Sequence, residues 1–321
     1  MAEAAPYFED LAEGPAGRTR WVRTDDGVRV RIGIWPEGSK GTVLLFPGRC
    51  EYIEKYGRTA AELHRRGYAS VAIDWRGQGL ADRLLGNPAI GHVARFADYQ
   101  RDVRAMLDDP AVQALPRPWL LLGHSMGGAI ALRTLLDGAP VQGAAFSAPM
   151  WGILIEPKVR IVSKVLPVTA RALGLGARQA PTTNGADFLL HAEFAGNELT
   201  TDQDMWAYLK RQLAADTRFR LGGPSLTWLG EALTETRALV AAPKPDIPAL
   251  VGLGTNERIV DPDAMRRIVE RWPSARLITF DGAEHELLME RSETRDKFLD
   301  EALALLPSGA APQLQPAPHP P

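Results

Sequence analysis

A serine in a tight turn is the residue of this chain best placed to do chemistry. It is Ser125, in Gly123-His124-Ser125-Met126-Gly127, behind the apolar run Trp119-Leu120-Leu121-Leu122 and ahead of the helix-like Gly128-Ala129-Ile130-Ala131-Leu132-Arg133. A serine at the tip of a strand-to-helix turn presents its hydroxyl to a substrate. Glycines two places before and after remove the Cβ atoms that would obstruct so sharp a bend. The helix that follows points its N-terminal amides to where negative charge develops when a carbonyl is attacked. A turn that merely contains serine would not need a strand in front of it and a helix behind.

Such a nucleophile needs a general base. Of the six histidines, His285 stands late, on the polar loop after the strand-like Arg276-Leu277-Ile278-Thr279-Phe280. His124 lies inside the elbow with its side chain expected to point away from the serine. His64 and His191 fall in helix-like segments, His92 in a loop and His319 in the tail, all read as structural or solvated. Two carboxylates follow the strand Ala249–Leu253 and could orient the imidazole, Glu257 and Asp261. Glu257 is nearer the strand's C-terminal end, the edge of an open α/β sheet that carries chemistry. Asp261 precedes Pro262 and already suits a helix N-cap, so Glu257 is favoured and Asp261 is the fallback. The oxyanion needs two backbone amides. Met126, next to the serine, offers one, and Arg49, on the loop after the strand Thr42–Phe46, offers the other, with Gly48 allowing a close approach to the substrate carbonyl.

These pieces resemble the α/β-hydrolases grouped as bacterial lysophospholipases and monoacylglycerol lipases, a serine aminopeptidase-like group. The resemblance rests on Phe46 to Tyr52, Asp74-Trp75-Arg76-Gly77-Gln78-Gly79, the serine elbow, and Gly254 to Asp261 followed by His285, and so spans most of the chain. In that family the first motif usually reads His-Gly-x-Gly-Glu-His, where this chain has Pro47-Gly48-Arg49-Cys50-Glu51-Tyr52. Its acid is usually aspartate at the position of Glu257, and its Asp-x-Arg-Gly-His-Gly-x-Ser motif has histidine at the position of Gln78 and commonly serine at that of Ala81. The resemblance implies an α/β-hydrolase fold, a Ser125–Glu257–His285 triad and hydrolysis of monoacyl lipid esters.

Composition agrees with an enzyme of this size. With 321 residues, 45% of them hydrophobic, the chain can bury a large core. A net charge of −2 gives no electrostatic reason to expect nucleic acid. No run of 18 apolar residues and no basic, apolar leader is present, so neither a transmembrane helix nor a signal peptide is expected. The single cysteine suits a reducing compartment, which makes a cytoplasmic location the expectation, with peripheral membrane contact through the cap described below. Cys50 sits in the oxyanion loop with Ser125 already at hand and is not expected to act as nucleophile. No close histidine pairing suggests a metal, and no cofactor is expected.

Strands and helices alternate from the Asp25-Asp26-Gly27 hairpin turn to the strand Gly143–Ser147, then resume at Ile247, which predicts a mostly parallel sheet covered on both faces. Residues 1–149 form the first half of the core, 150–245 a helical cap insertion, 246–306 the second half and 307–321 a disordered tail. Helical spacing appears in Val159-Val162-Ser163-Val165-Leu166 and in Trp206-Leu209-Lys210-Leu213. Met150 and Trp151 open the insertion and, with Gly48, are the expected substrate contacts. The expected partner is a lipid-like ester. Two other readings compete. An aminopeptidase of the same fold would need cap acids such as Glu193, Glu198, Asp202 and Asp204 to hold an ammonium. An inactive binding module would keep the fold without the chemistry, against which stands an ordered serine, acid and histidine.

Overall fold

The computed structural model describes residues 3–155, 160–181 and 183–307, with backbone alone over 160–165. Helix α1 (Glu9–Ala12) leads into β1 (Arg18–Arg23) and β2 (Arg29–Trp35), then β3 (Thr42–Phe46), α2 (Gly57–Arg65) and β4 (Ala69–Asp74). Next come α3 (Tyr99–Leu107), α4 (Pro110–Gln113), β5 (Trp119–His124), α5 (Met126–Leu136) and β6 (Gly143–Ser147). The insertion carries α6 (Arg160–Ala172), α7 (Phe188–His191), α8 (Gln203–Ala215) and α9 (Leu226–Ala241). The chain then returns through β7 (Ala249–Gly254), α10 (Pro262–Glu270), β8 (Ala275–Phe280) and α11 (Ser292–Leu303). Short 3-10 turns, Ile53–Tyr56 and Phe96–Asp98, lead into α2 and α3.

The eight strands lie in the order β1-β2-β4-β3-β5-β6-β7-β8. The hairpin pairs Arg18 with Ile34 and Arg23 with Arg29, and β2 runs antiparallel to β4; every later pair is parallel. Parallel strands covered on both faces have no solvent side, and β3 and β5 are accordingly buried along their whole length. Leu44, Phe46 and Leu121 face the core shared with α3, α5 and α10, while Val43, Leu45, Leu120 and Leu122 face the one beneath α2 and α11. Parallel strands also align their C-terminal ends, so the loops after β3, β5, β7 and β8 meet at one edge.

The insertion is tied to this frame by polar bonds from buried aromatics. Tyr208 of α8 donates to the carbonyls of Ala12 and Glu54, both at 2.7 Å, and Tyr52 stacks on Phe219 at 4.0 Å. Trp228 of α9 donates to the Tyr99 hydroxyl at 3.0 Å. Val159, the side chains of Val162, Ser163 and Val165, and the tail beyond Pro307 lie outside the described residues; the Trp206–Leu213 spacing falls in α8.

Candidate active site

Ser125 joins β5 to α5 at φ 49° and ψ −119°, a conformation that costs a non-glycine residue about 1–3 kcal/mol and persists only where neighbours impose it. They do so through the backbone. The Ser125 amide donates to Ser147 at 3.0 Å, and its carbonyl accepts from Gly128 at 2.9 Å and Met150 at 2.8 Å. A Cβ at Gly123 would stand 2.7 Å from the Gly127 carbonyl oxygen, and one at Gly127 would strike the carbonyl of Phe46. The glycines let three backbone segments touch.

His285 and Glu257 are brought together from the loops after β8 and β7. Nδ1 of His285 lies 2.7 Å from Oε2 of Glu257. Oε1 of Glu257 accepts from the amides of Ile259 at 2.7 Å and Val260 at 3.0 Å. Burial opposes ionisation of Glu257, but the His285 hydrogen bond and charge and the two amides outweigh it, leaving the carboxyl below its ordinary range. An ionised carboxylate only accepts, so Nδ1 carries a proton and donates it to Glu257. Asp261 takes the other role: it caps α10, accepting from the Asp263 amide at 2.9 Å and pairing with Arg267 at 3.2 Å. Ser125 and His285 line one cavity of about 940 Å³. The bond to Glu257 is the imidazole's one side-chain hydrogen bond among the described residues; contacts between catalytic groups are often long until a substrate tightens them.

The loop after β3 carries Arg49 beside this cavity and is braced from several sides. Gln78 Nε2 donates to the carbonyls of Gly48 at 2.8 Å and Glu51 at 3.0 Å, and Trp75 Nε1 to that of Pro47 at 2.9 Å. The Met126 amide opens α5, where no intrahelical acceptor exists. Two expected substrate contacts are corrected here. Gly48 gives its amide to the Glu51 carboxylate, and a Cβ there would meet Glu51 and His124 at 3.1 Å; it is packed into the loop and does not line the cavity. Trp151 is fully buried against Phe146 with its Nε1 on the Gly128 carbonyl at 3.1 Å, so it belongs to the core. Met150 does line the cavity.

His124 is buried, as a structural histidine would be, and it sits beside His285. Its ring lies 4.9 Å from that of His285, centroid to centroid, with Nδ1 3.1 Å from the Ser147 carbonyl oxygen. Burial, more than the neighbouring Glu51 can offset, pushes its pKa down to about 3 and keeps it neutral. Beneath it Lys55 bridges Glu51 at 2.5 Å and Glu286 at 2.6 Å. Burial opposes the charge on Glu51, but Lys55 and His124 prevail and lower it to about 2. Donor atoms of Glu51, His124 and Glu286 lie within 4.8 Å of one another, and the Lys55 ammonium is already the cation of that cluster. The Glu51–Lys55 spacing of four is local, but nothing local signals Glu286, which is 231 positions from Lys55. Of the cap acids, Glu193 and Glu198 line the cavity, whereas Asp202 caps α8 and Asp204 pairs with Arg58.

A mostly parallel open sheet with a strand–serine–helix elbow, and a histidine and an acid on the loops after its last two strands, defines an α/β-hydrolase. The chain matches the Hydrolase_4 family model, serine aminopeptidase S33, over residues 37–292, and it belongs to that family. It is 32% identical over 277 residues to lysophospholipase L2 of Escherichia coli (strain K12), covering 80% of this chain and 77% of that protein. It is 28% identical over 302 residues to the probable lysophospholipase L2 of Haemophilus influenzae, covering 93% of each. The fold is shared with a soluble variant of the Saccharomyces cerevisiae monoglyceride lipase, with a TM-score of 0.68 at 21% identity over 94% of this chain and 98% of that one. Among the described residues no helix is long and apolar enough to cross a membrane.

Proposed function

We propose that the chain is a carboxylic ester hydrolase acting on monoacyl lipids, of lysophospholipase or monoacylglycerol lipase type, through an acyl-enzyme on Ser125. The observation that carries this is the His285–Glu257 hydrogen bond at the rim of the cavity that holds the strained serine. Ser125 Oγ attacks the ester carbonyl carbon as its proton passes to Nε2 of His285, while Glu257 holds the imidazole in the tautomer that can accept it. The amides of Arg49 and Met126 bind the oxyanion. Collapse expels the alcohol, which takes the proton from His285. Water, deprotonated by the same imidazole, then releases the fatty acid.

The cavity's apolar wall, with Leu209, Leu213, Phe219, Leu221 and Trp228, suits an acyl chain, and the names of the lysophospholipase relatives point the same way. Residues 150–245 act as a cap over the nucleophile. The exposed apolar side chains of Val168 on α6, Leu173 at its C-terminal end and Phe188 on α7 favour peripheral contact of the cap with a membrane. An aminopeptidase reading draws on the family's name and on Glu193 and Glu198 at the cavity. A turnover panel of p-nitrophenyl esters, monoacylglycerol, lysophospholipid and Pro-arylamide separates the two. The lipid esters should be cleaved best; preference for the arylamide would overturn the lipase reading.

A further inference from the structure

The buried arginines Arg31 and Arg76 sit on carboxylates, Arg31 on Glu54 and Asp74 and Arg76 on Asp26 and Asp102. Arg49 does not. Its Nη1 donates to Cys50 Sγ at 3.1 Å, its Nη2 to the Gly222 carbonyl, and its guanidinium lies 5.4 Å from the Trp228 ring centre. Its Nε is buried and has no hydrogen-bond partner. Arg49 lines the Ser125 cavity, where the other cationic side chains are spoken for: Lys55 by Glu51 and Glu286, Arg220 by Asp187. Of the carboxylates that the cap brings to the cavity, Glu193 is exposed and Glu198, also exposed, lies 3.9 Å from Arg258. Arg49 is half-buried, and its guanidinium, set against a carbonyl, a thiol and an aromatic face, has no anionic partner among the described residues, which leaves its charge to pair with an anion that a ligand supplies.

We propose that the Arg49 side chain is a specificity determinant that binds the phosphate of an anionic monoacyl glycerophospholipid whose ester lies at Ser125. The inference rests on the ester-hydrolase reading of the same site. Ester and phosphate of such a lipid share one glycerol, and Arg49 offers both partners from one residue, its amide to the oxyanion and its guanidinium to the phosphate. Arginine's planar fork matches phosphate oxygens, and charge-assisted bonds of this kind are the strong ones. A neutral monoacylglycerol has hydroxyls but no anion to give the fork, and a substrate ammonium would be repelled by it.

The experiment compares kcat/KM for monoacylglycerol, lysophosphatidate and lysophosphatidylglycerol of one acyl chain, each as monomers, in the intact chain and in Arg49→Gln and Arg49→Lys. The readout is the ratio of phosphate-bearing to neutral substrate, so a loss common to all of them cancels. That ratio should exceed one in the wild type, fall roughly ten- to hundredfold in Arg49→Gln and fall less in Arg49→Lys, with the change in KM. The two phospholipids distinguish a terminal phosphate from a phosphodiester as the group bound. An unchanged ratio with all rates lowered together would overturn the proposal and leave Arg49 as a brace between its loop and Gly222. Calorimetric titration of lysophosphatidate and monoacylglycerol into Ser125→Ala, with and without Arg49→Gln, reads the same ratio as binding. Should the wild type turn over none of the esters, the hydrolase reading fails while this titration still decides the phosphate contact.

Discussion

Replacing Glu257 by glutamine tests how the imidazole is held. In the protein Glu257 accepts from Nδ1 of His285 at 2.7 Å with one oxygen and from two backbone amides with the other. Glutamine is nearly isosteric, and its carbonyl can keep the amides of Ile259 and Val260. Its NH₂ then faces Nδ1, which must accept, and the ring proton moves to Nε2, where a base needs a lone pair. The same carboxylate-to-amide change in a serine protease triad lowers kcat about 10⁴-fold, or roughly 5 kcal/mol in the barrier. Asp261→Asn should leave kcat within about threefold: asparagine caps helices as well as aspartate, and the half-exposed pair with Arg267 is worth at most about 1 kcal/mol. Steady-state kinetics on one ester, with thermal melts to show both variants folded, decide the matter. A Glu257→Gln enzyme within tenfold of wild type, or an Asp261→Asn enzyme that loses a thousandfold, would refute the reasoning.

Three further outcomes follow from the same geometry. With an apolar cavity of about 940 Å³, kcat/KM should climb with acyl length until the space is filled, about fourfold for each buried methylene at roughly 0.8 kcal/mol; a flat series contradicts an acyl pocket. Trp151→Ala should destabilise the fold by about 3–5 kcal/mol in denaturant melts, as a core truncation does, whereas an unshifted melt with a raised KM would return Trp151 to the substrate. Because burial keeps His124 neutral down to about 3, it contributes nothing to the acid limb of kcat/KM above that value. His124→Asn should therefore keep the midpoint of that limb, and a shift of more than one pH unit would contradict this.

The parts of the site legible in the sequence are those set by local backbone chemistry. Gly123 and Gly127 mark the elbow because three backbone segments meet there, and Glu257 and His285 stand out because parallel strands put their C-terminal loops at one edge. Trp151 misleads because an aromatic residue at the start of an insertion reads the same whether it turns to the core or to the cavity. Strand alternation sets His124 apart from the serine but carries no sign that its ring comes within 4.9 Å of that of His285, which is 161 positions further on. The Lys55–Glu51–Glu286 cluster and the bare guanidinium of Arg49 depend on partners far along the chain, such as Gly222, 173 positions away. Periodicity and spacing carry no record of such pairs.

The central claim, that Ser125 is the nucleophile raised by its elbow and activated by His285, is met most directly by mass spectrometry after reaction with a fluorophosphonate ester. The account predicts one adduct per chain, located on Ser125, absent from Ser125→Ala and slowed by several orders of magnitude in Glu257→Gln. An unlabelled wild-type protein, or an adduct on Cys50 that survives in Ser125→Ala, would contradict it.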